Sequence, residues 1–64
     1  MIYIYTPAWG GPLVWRDLNT AQQALEEHLA LTESDNPRWY EHSDRWILTA
    51  RWRGETAILW KVEI

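Results

Sequence analysis

The chain has 64 residues, no cysteine and a net charge of −3, with a mass of 7.7 kDa. So short a chain can bury only one core, and we expect a single domain over residues 1–64. The absence of cysteine excludes disulfide staples and thiolate zinc ligands. No apolar run approaches the roughly 20 residues of a transmembrane helix, and no signal peptide is recognisable. We therefore expect a cytoplasmic protein with no membrane contact.

The first third of the chain reads as a strand, a loop and a short return. Residues 1–5 are Met followed by alternating Ile and Tyr, a pattern that favours a strand. Residues 6–12 hold two prolines and two glycines, which indicates a loop. Trp9 in this loop either folds back onto the edge of the core or stands out as a contact residue. Residues 13–16 can return against the first strand, so the sheet is expected to have four or five strands.

Residues 19–32 form the one good helix candidate. Ala, Gln, Leu and Glu favour a helix there, and Asn19 or Thr20 can cap its start. At 100° per residue one arc is apolar and comprises Leu18, Ala21, Ala24, Leu25, Leu29 and Leu31. His28 lies near the middle of that arc and is interpreted as a packed side chain. The opposite arc is polar and acidic and comprises Gln22, Gln23, Glu26, Glu27 and Glu33.

The segment after Pro37 predicts a strand that returns through a two-residue turn at Ser43-Asp44. That turn places Trp39 beside Leu48 on the inner side of the sheet. It places Tyr40 beside Ile47 on the outer side. Glu41 then points inward near the end of its strand, which is either a defect in the interpretation or a sign that Glu41 caps something.

Residues 45–64 alternate as two antiparallel strands. A three-residue turn brings even-numbered residues opposite each other. With Gly54 in its left-handed third position, the favoured arrangement, Trp46 lies opposite Trp60 and Arg51 opposite Glu55. With Gly54 in the central position, Trp46 would lie opposite Val62 and Arg45 opposite Glu63. The inward set is then Trp46, Leu48, Ala50, Trp52, Ile58, Trp60, Val62 and Ile64. The outward set includes Arg45, Ile47, Thr49, Arg51, Arg53, Ala57, Leu59 and Lys61.

The predicted fold is α+β with two layers: one amphipathic helix on one face of an antiparallel sheet, in the order β(β)αβββ. The second face of the sheet is left uncovered, with Arg around Tyr and aliphatic side chains, as in protein interfaces. Ordinary solvent-facing residues with long Arg stems would give the same pattern. The predicted partner-binding residues are Tyr40, His42, Arg45, Ile47, Arg51, Arg53, Leu59, Lys61 and, from the loop, Trp9.

No motif for catalysis is present: there is no Cys nucleophile, GxSxG, P-loop or HExxH. The sequence therefore predicts no catalytic residue, no metal ligand set, no cofactor and no small-molecule substrate. A non-enzymatic binding module is the favoured function, with another protein or a second copy as partner. In size and acidic composition the chain resembles small phage- or plasmid-encoded inhibitors of host proteins.

Two other functions remain open. Single-stranded nucleic acid could lie over the uncovered sheet face, with Tyr40 and His42 stacking on bases and the basic residues meeting phosphates. The acidic face of the helix could instead mimic a phosphate backbone and block a nucleic-acid-binding protein. The negative net charge argues against the first of these.

Overall fold

The secondary structure follows the predicted order. The computed structural model describes residues 1–51 and 54–64 and has one α-helix packed against a five-stranded sheet, which confirms the α+β prediction. Trp52 and Arg53 lie outside the described residues. The elements are β1 Ile2–Tyr5, β2 Leu13–Trp15, α1 Leu18–His28, a 3₁₀ turn at Glu33–Asp35, β3 Arg38–Glu41, β4 Arg45–Ala50 and β5 Gly54–Val62.

The strands lie in the order β2-β1-β5-β4-β3, and every neighbouring pair is antiparallel. Three pairings are local hairpins: β1 with β2, β3 with β4, and β4 with β5. The pairing of β1 with β5 joins the two ends of the chain: Ile2 lies opposite Val62 and Ile4 lies opposite Trp60. The long central strand β5 therefore has a neighbour on each side.

The helix begins earlier than the sequence suggests. Asp17 is the N-cap, and its Oδ2 accepts hydrogen bonds from the backbone N and the Oγ1 of Thr20, both at 2.9 Å. These two hydrogen bonds, the backbone one first, lower the pKa of the Asp17 carboxyl. The caps expected at Asn19 or Thr20 are wrong, because aspartate three residues before Thr20 satisfies the same free N–H groups.

The helix also ends before the expected Thr32. Ala30 adopts a left-handed φ of 55°, its N donates to the Glu27 carbonyl at 3.0 Å, and Leu31 N donates to the Glu26 carbonyl at 2.9 Å. These two hydrogen bonds form a Schellman cap. The left-handed residue of such a cap, here Ala30, is usually glycine. The chain therefore leaves the helix at an alanine in a conformation that disfavours a Cβ atom.

We expect Ala30→Gly to stabilise the protein by about 0.5–1 kcal/mol, because glycine adopts the left-handed conformation without steric cost. Urea unfolding measures the change. Ala24→Gly is the matched control, since the same substitution inside the helix should cost about 1 kcal/mol. Destabilisation by both substitutions would contradict the role assigned to Ala30.

The buried core is small and lies between α1 and one face of the sheet. Its cluster comprises Ala21 and Leu25 from the helix with Leu48, Ala57 and Leu59 from the sheet. Aromatic side chains from the strands, with Leu18, Leu29 and Leu31, pack around this cluster. Trp39 belongs to that rim, and its Nε1 donates to Glu26 Oε2 at 2.9 Å. Glu26 is thus half-buried against the sheet, which corrects its predicted place on the solvent side of the helix.

The register of the last hairpin differs from the prediction, because Trp46 lies opposite Leu59 instead of Trp60 and Glu55 lies opposite Thr49 instead of Arg51. Ala50 pairs with Gly54, and Gly54 has the expected left-handed φ of 62°. The ladder then passes from Thr49–Glu55 to Leu48–Ala57, so β5 carries one extra residue. This β-bulge inverts the alternation of every residue that follows it in β5. From Ala57 onward the odd-numbered residues of β5 therefore face the helix, and a core role for Trp60 is wrong.

Candidate interaction surface

The sheet face turned away from α1, called the open face below, is mostly apolar. Its residues follow from strand alternation and from the side chains that pack into the core on the opposite face. All five strands contribute to it. The apolar side chains of the open face are Ile2, Ile4, Val14, Tyr40, Ile47, Ile58, Trp60 and Val62.

Trp60 occupies the middle of the open face on the central strand β5. Its ladder partners are Ile4 on β1 and Arg45 on β4. The Arg45 guanidinium carbon lies 5.3 Å from the centroid of the Trp60 ring, a cation–π distance. Arg45 Nη1 also donates to Asp44 Oδ1 at 3.0 Å and to Oδ2 at 3.2 Å. Arg45 is therefore held beside the ring, and 40% of Trp60 remains exposed.

Tyr40, Arg45 and Ile47 lie on the open face as predicted. Tyr40 is opposite Ile47, Trp39 is opposite Leu48, and Tyr40 is 51% exposed. The two-residue turn at residues 43–44 sets this register. His42 lies at the start of that turn, exposed, with its backbone N donating to the Arg45 carbonyl at 2.8 Å.

The placement of Leu59 and Lys61 on the open face is wrong. The bulge turns both toward the helix side: Leu59 has no exposed surface, and 11% of the Lys61 side chain is exposed. Lys61 Nζ forms an ion pair with Glu41 Oε2 at 2.6 Å and donates to the His42 carbonyl at 2.8 Å. It also lies 5.5 Å from the Trp46 ring centroid. The inward Glu41 is thus the partner of an inward lysine.

The remaining predicted contact residues lie outside the strands. Trp9 is 89% exposed in the loop before β2, so it stands out from the loop instead of folding back onto the core edge. Arg51 is exposed at the end of β4, and its backbone N donates to the Asp35 carbonyl. Arg53 lies outside the described residues.

The sequence interpretation missed Ile2, Ile4, Val14, Ile58, Trp60 and Val62 as members of the open face. A signal for β1 was present, because isoleucine occupies its even positions and tyrosine its odd positions. That alternation assigns Ile2 and Ile4 to one face but does not identify which face. Only the pairing of Ile4 with Trp60 across β1 and β5 brings these side chains together.

An open cleft of about 360 Å³ lies where β1 ends beside the first half of β5. Its walls include Tyr5, Thr6, Glu55, Ile58 and Trp60, so it continues the open face toward the bulge.

His28 of α1 is exposed, which corrects the prediction that its side chain is packed on the apolar side of the helix. It meets the edge of the Tyr5 ring with centroids 5.9 Å apart.

Chemical groups for metal binding or membrane insertion are not assembled in the described part of the chain. Among residues 1–51 and 54–64, His, Asp and Glu nowhere form a group of three that could hold a metal ion. In the same ranges no helix combines the length and apolarity needed to cross a bilayer. What the surface offers is apolar contact area with an arginine at its centre.

Comparison with models of protein families, with curated proteins and with solved structures found no match.

Proposed function

We propose that the chain is a protein-binding module without catalytic activity of its own and that the open face is its contact surface. The observation that carries this proposal is the apolar band that crosses all five strands, with the partly exposed Trp60 at its centre. Contiguous exposed apolar area of this kind is typical of interaction sites, whereas single exposed apolar residues are ordinary.

The composition of the band favours a protein partner. Trp, Tyr and Arg are the residues that most often dominate binding energy at protein interfaces, especially near the centre. Trp60 and Arg45 are adjacent at the middle of the sheet, and Tyr40 lies two strands away from Trp60. Aliphatic side chains surround them and would exclude water from the contact.

Two features of the structure weigh against single-stranded nucleic acid as the ligand. Lys61 is bound to Glu41 on the covered face, so this cation does not contribute phosphate contacts on the open face. Arg45 interacts with both Asp44 and the Trp60 ring, and this leaves less of Trp60 free for base stacking. Mimicry of a phosphate backbone by the helix is also weakened, because Glu26 accepts a hydrogen bond from Trp39.

A protein of this kind acts by covering a surface of its partner. That mode of action fits the resemblance in size and composition to small phage- or plasmid-encoded inhibitors of host proteins. The exposed Trp9, in the loop between β1 and β2, supplies a second contact residue in such a complex.

Site-specific photo-crosslinking in the cells that make the protein tests this proposal. Tyr40 is replaced by benzoylphenylalanine, a conservative aromatic change on the open face. The matched control carries the same probe at Gln23, an exposed position on the helix. We expect Tyr40 to form one discrete protein adduct, either with a copy of the chain or with another protein, and Gln23 to form none.

Two results would contradict the proposal. The first is an adduct at Tyr40 that nuclease treatment removes, which would identify nucleic acid as the ligand. The second is the same yield and pattern of adducts from both positions, which would mean that the open face has no preferred contact. Adding Trp60→Lys to the Tyr40 probe should abolish the discrete adduct, because a charge at the centre of the band opposes its burial.

A further inference from the structure

We infer that the partner of the open face is a second copy of the same chain, packed sheet against sheet. This inference rests on the proposed function, because it assumes that the open face is a protein contact surface. It goes further by naming the occupant.

The first argument is the apolar surface that the fold leaves uncovered beside a small fully buried core. The buried hydrophobic residues among those described are three leucines and three alanines, a small core for a chain of 64 residues. The helix leaves further large apolar side chains uncovered on the open face, including Ile4, Ile58 and Trp60. A chain this short has little stability to spare. Its apolar face needs cover as soon as the chain folds, and a second copy is present wherever the chain is made.

The second argument is area. The molecule measures 35 × 26 × 18 Å along its principal axes, and the shortest dimension matches the stacking of one helix on one sheet. The open face therefore extends over the two longer dimensions. A face of that size is large enough to bury the roughly 800 Å² per partner of a standard interface.

The third argument is shape and charge. Two identical twisted sheets pack face to face about 10 Å apart, with their side chains interdigitating, and a two-fold axis makes such a contact self-complementary. Sheet-to-sheet packing places α1 of each copy on the outside of a four-layer assembly. The acidic helix surfaces, with Gln23 and Glu27 exposed, then lie farther apart than the screening length of about 8 Å at physiological salt.

Sedimentation equilibrium of the purified chain tests the inference. We expect a mass of twice 7.7 kDa and a thermal midpoint that rises with protein concentration. Trp60→Lys should raise the dissociation constant by at least about 30-fold, as expected for a central hot spot. Gln23→Lys, which introduces the same residue on the exposed face of the helix, should leave the mass unchanged.

A second variant covers the case in which Trp60→Lys fails to fold. Val62→Lys changes a residue that is 38% exposed on the same face near the end of β5, and circular dichroism checks its fold. We expect this variant to be folded and to dissociate more readily than the unaltered chain.

A mass of 7.7 kDa up to about millimolar concentration, with a midpoint independent of concentration, would overturn the inference. The crosslinking result then separates the two proposals. A monomer that gives a discrete adduct with a different protein at Tyr40 refutes the second copy and leaves the proposed function standing. A monomer with no such adduct refutes both.

Discussion

Leu48→Ala is expected to destabilise the protein by about 2–5 kcal/mol, enough to unfold a domain of this size. Leu48 has no exposed surface, and it lies in the middle of β4 between Trp39 on β3 and Ala57 on β5. Its side chain belongs to the cluster that also holds Leu25 of the helix. Removing it leaves a cavity at the contact between the two layers.

Urea unfolding at one fixed protein concentration measures this effect, because association would otherwise shift the midpoint. Ile64→Ala is the matched control, since Ile64 is 92% exposed at the end of the chain, and we expect a change within about 0.5 kcal/mol. A Leu48→Ala protein as stable as the control would mean that the helix does not pack on this face of the sheet.

Lys61→Glu is expected to cost about 2 kcal/mol, less than the loss of a fully buried ion pair. The substitution places two carboxylates together where Lys61 Nζ and Glu41 Oε2 are 2.6 Å apart. It also removes the hydrogen bond to the His42 carbonyl and the cation beside the Trp46 ring. The exposure of Glu41, whose side chain is 59% accessible, allows solvent to screen part of the repulsion.

The double variant Glu41→Lys with Lys61→Glu supplies the control. Reversing both charges restores an ion pair across β3 and β5, so the double variant should recover a substantial part of the lost stability in a double-mutant cycle. The experiment also tests the register of β5. If Lys61 lay on the open face, as residue parity without a bulge requires, its reversal would change stability by less than about 0.5 kcal/mol.

The β3–β4 hairpin shows where sequence reasoning works well. Its turn has two residues, and a turn of known length sets the register of both strands. The pairs Trp39–Leu48 and Tyr40–Ile47 occur as predicted. The inward Glu41 also occurs as predicted, although its partner Lys61 was expected on the other side of the sheet. Local sequence information was sufficient for these residues because the contacts that fix them are local.

The helix was predicted correctly in its apolar face but not in the residues where it begins and ends. The apolar arc is right, since Ala21 and Leu25 are buried and Leu18, Leu29 and Leu31 pack around the core. The ends are displaced, because Asp17 caps the start and Ala30 ends the helix in the left-handed region. Alanine is a strong helix former, so nothing in the local sequence marks Ala30 as the end of a helix.

The candidate surface was predicted in part. Tyr40, Arg45 and Ile47 were assigned to the open face from the β3–β4 register, which is local. Trp60, the residue at the centre of that face, was assigned to the core instead. Both alternating sets of β5 are apolar, Ala57 and Leu59 on one side and Ile58, Trp60 and Val62 on the other, so periodicity alone could not choose between them.

Residue pattern alone was enough to predict which segments become strands or helix, the apolar side of the helix, and the register of the one hairpin with a two-residue turn. The orientation of β5, the pairing of β1 with β5 and therefore the composition of the open face depend on contacts between distant parts of the chain. Side chains alternate with a period of two along a strand, so the single extra residue at Thr56 reverses every position after it. Packing resolves the choice, because the small Ala57 and the aliphatic Leu59 join the cluster beneath the helix and the large Trp60 ring remains on the far side of the sheet.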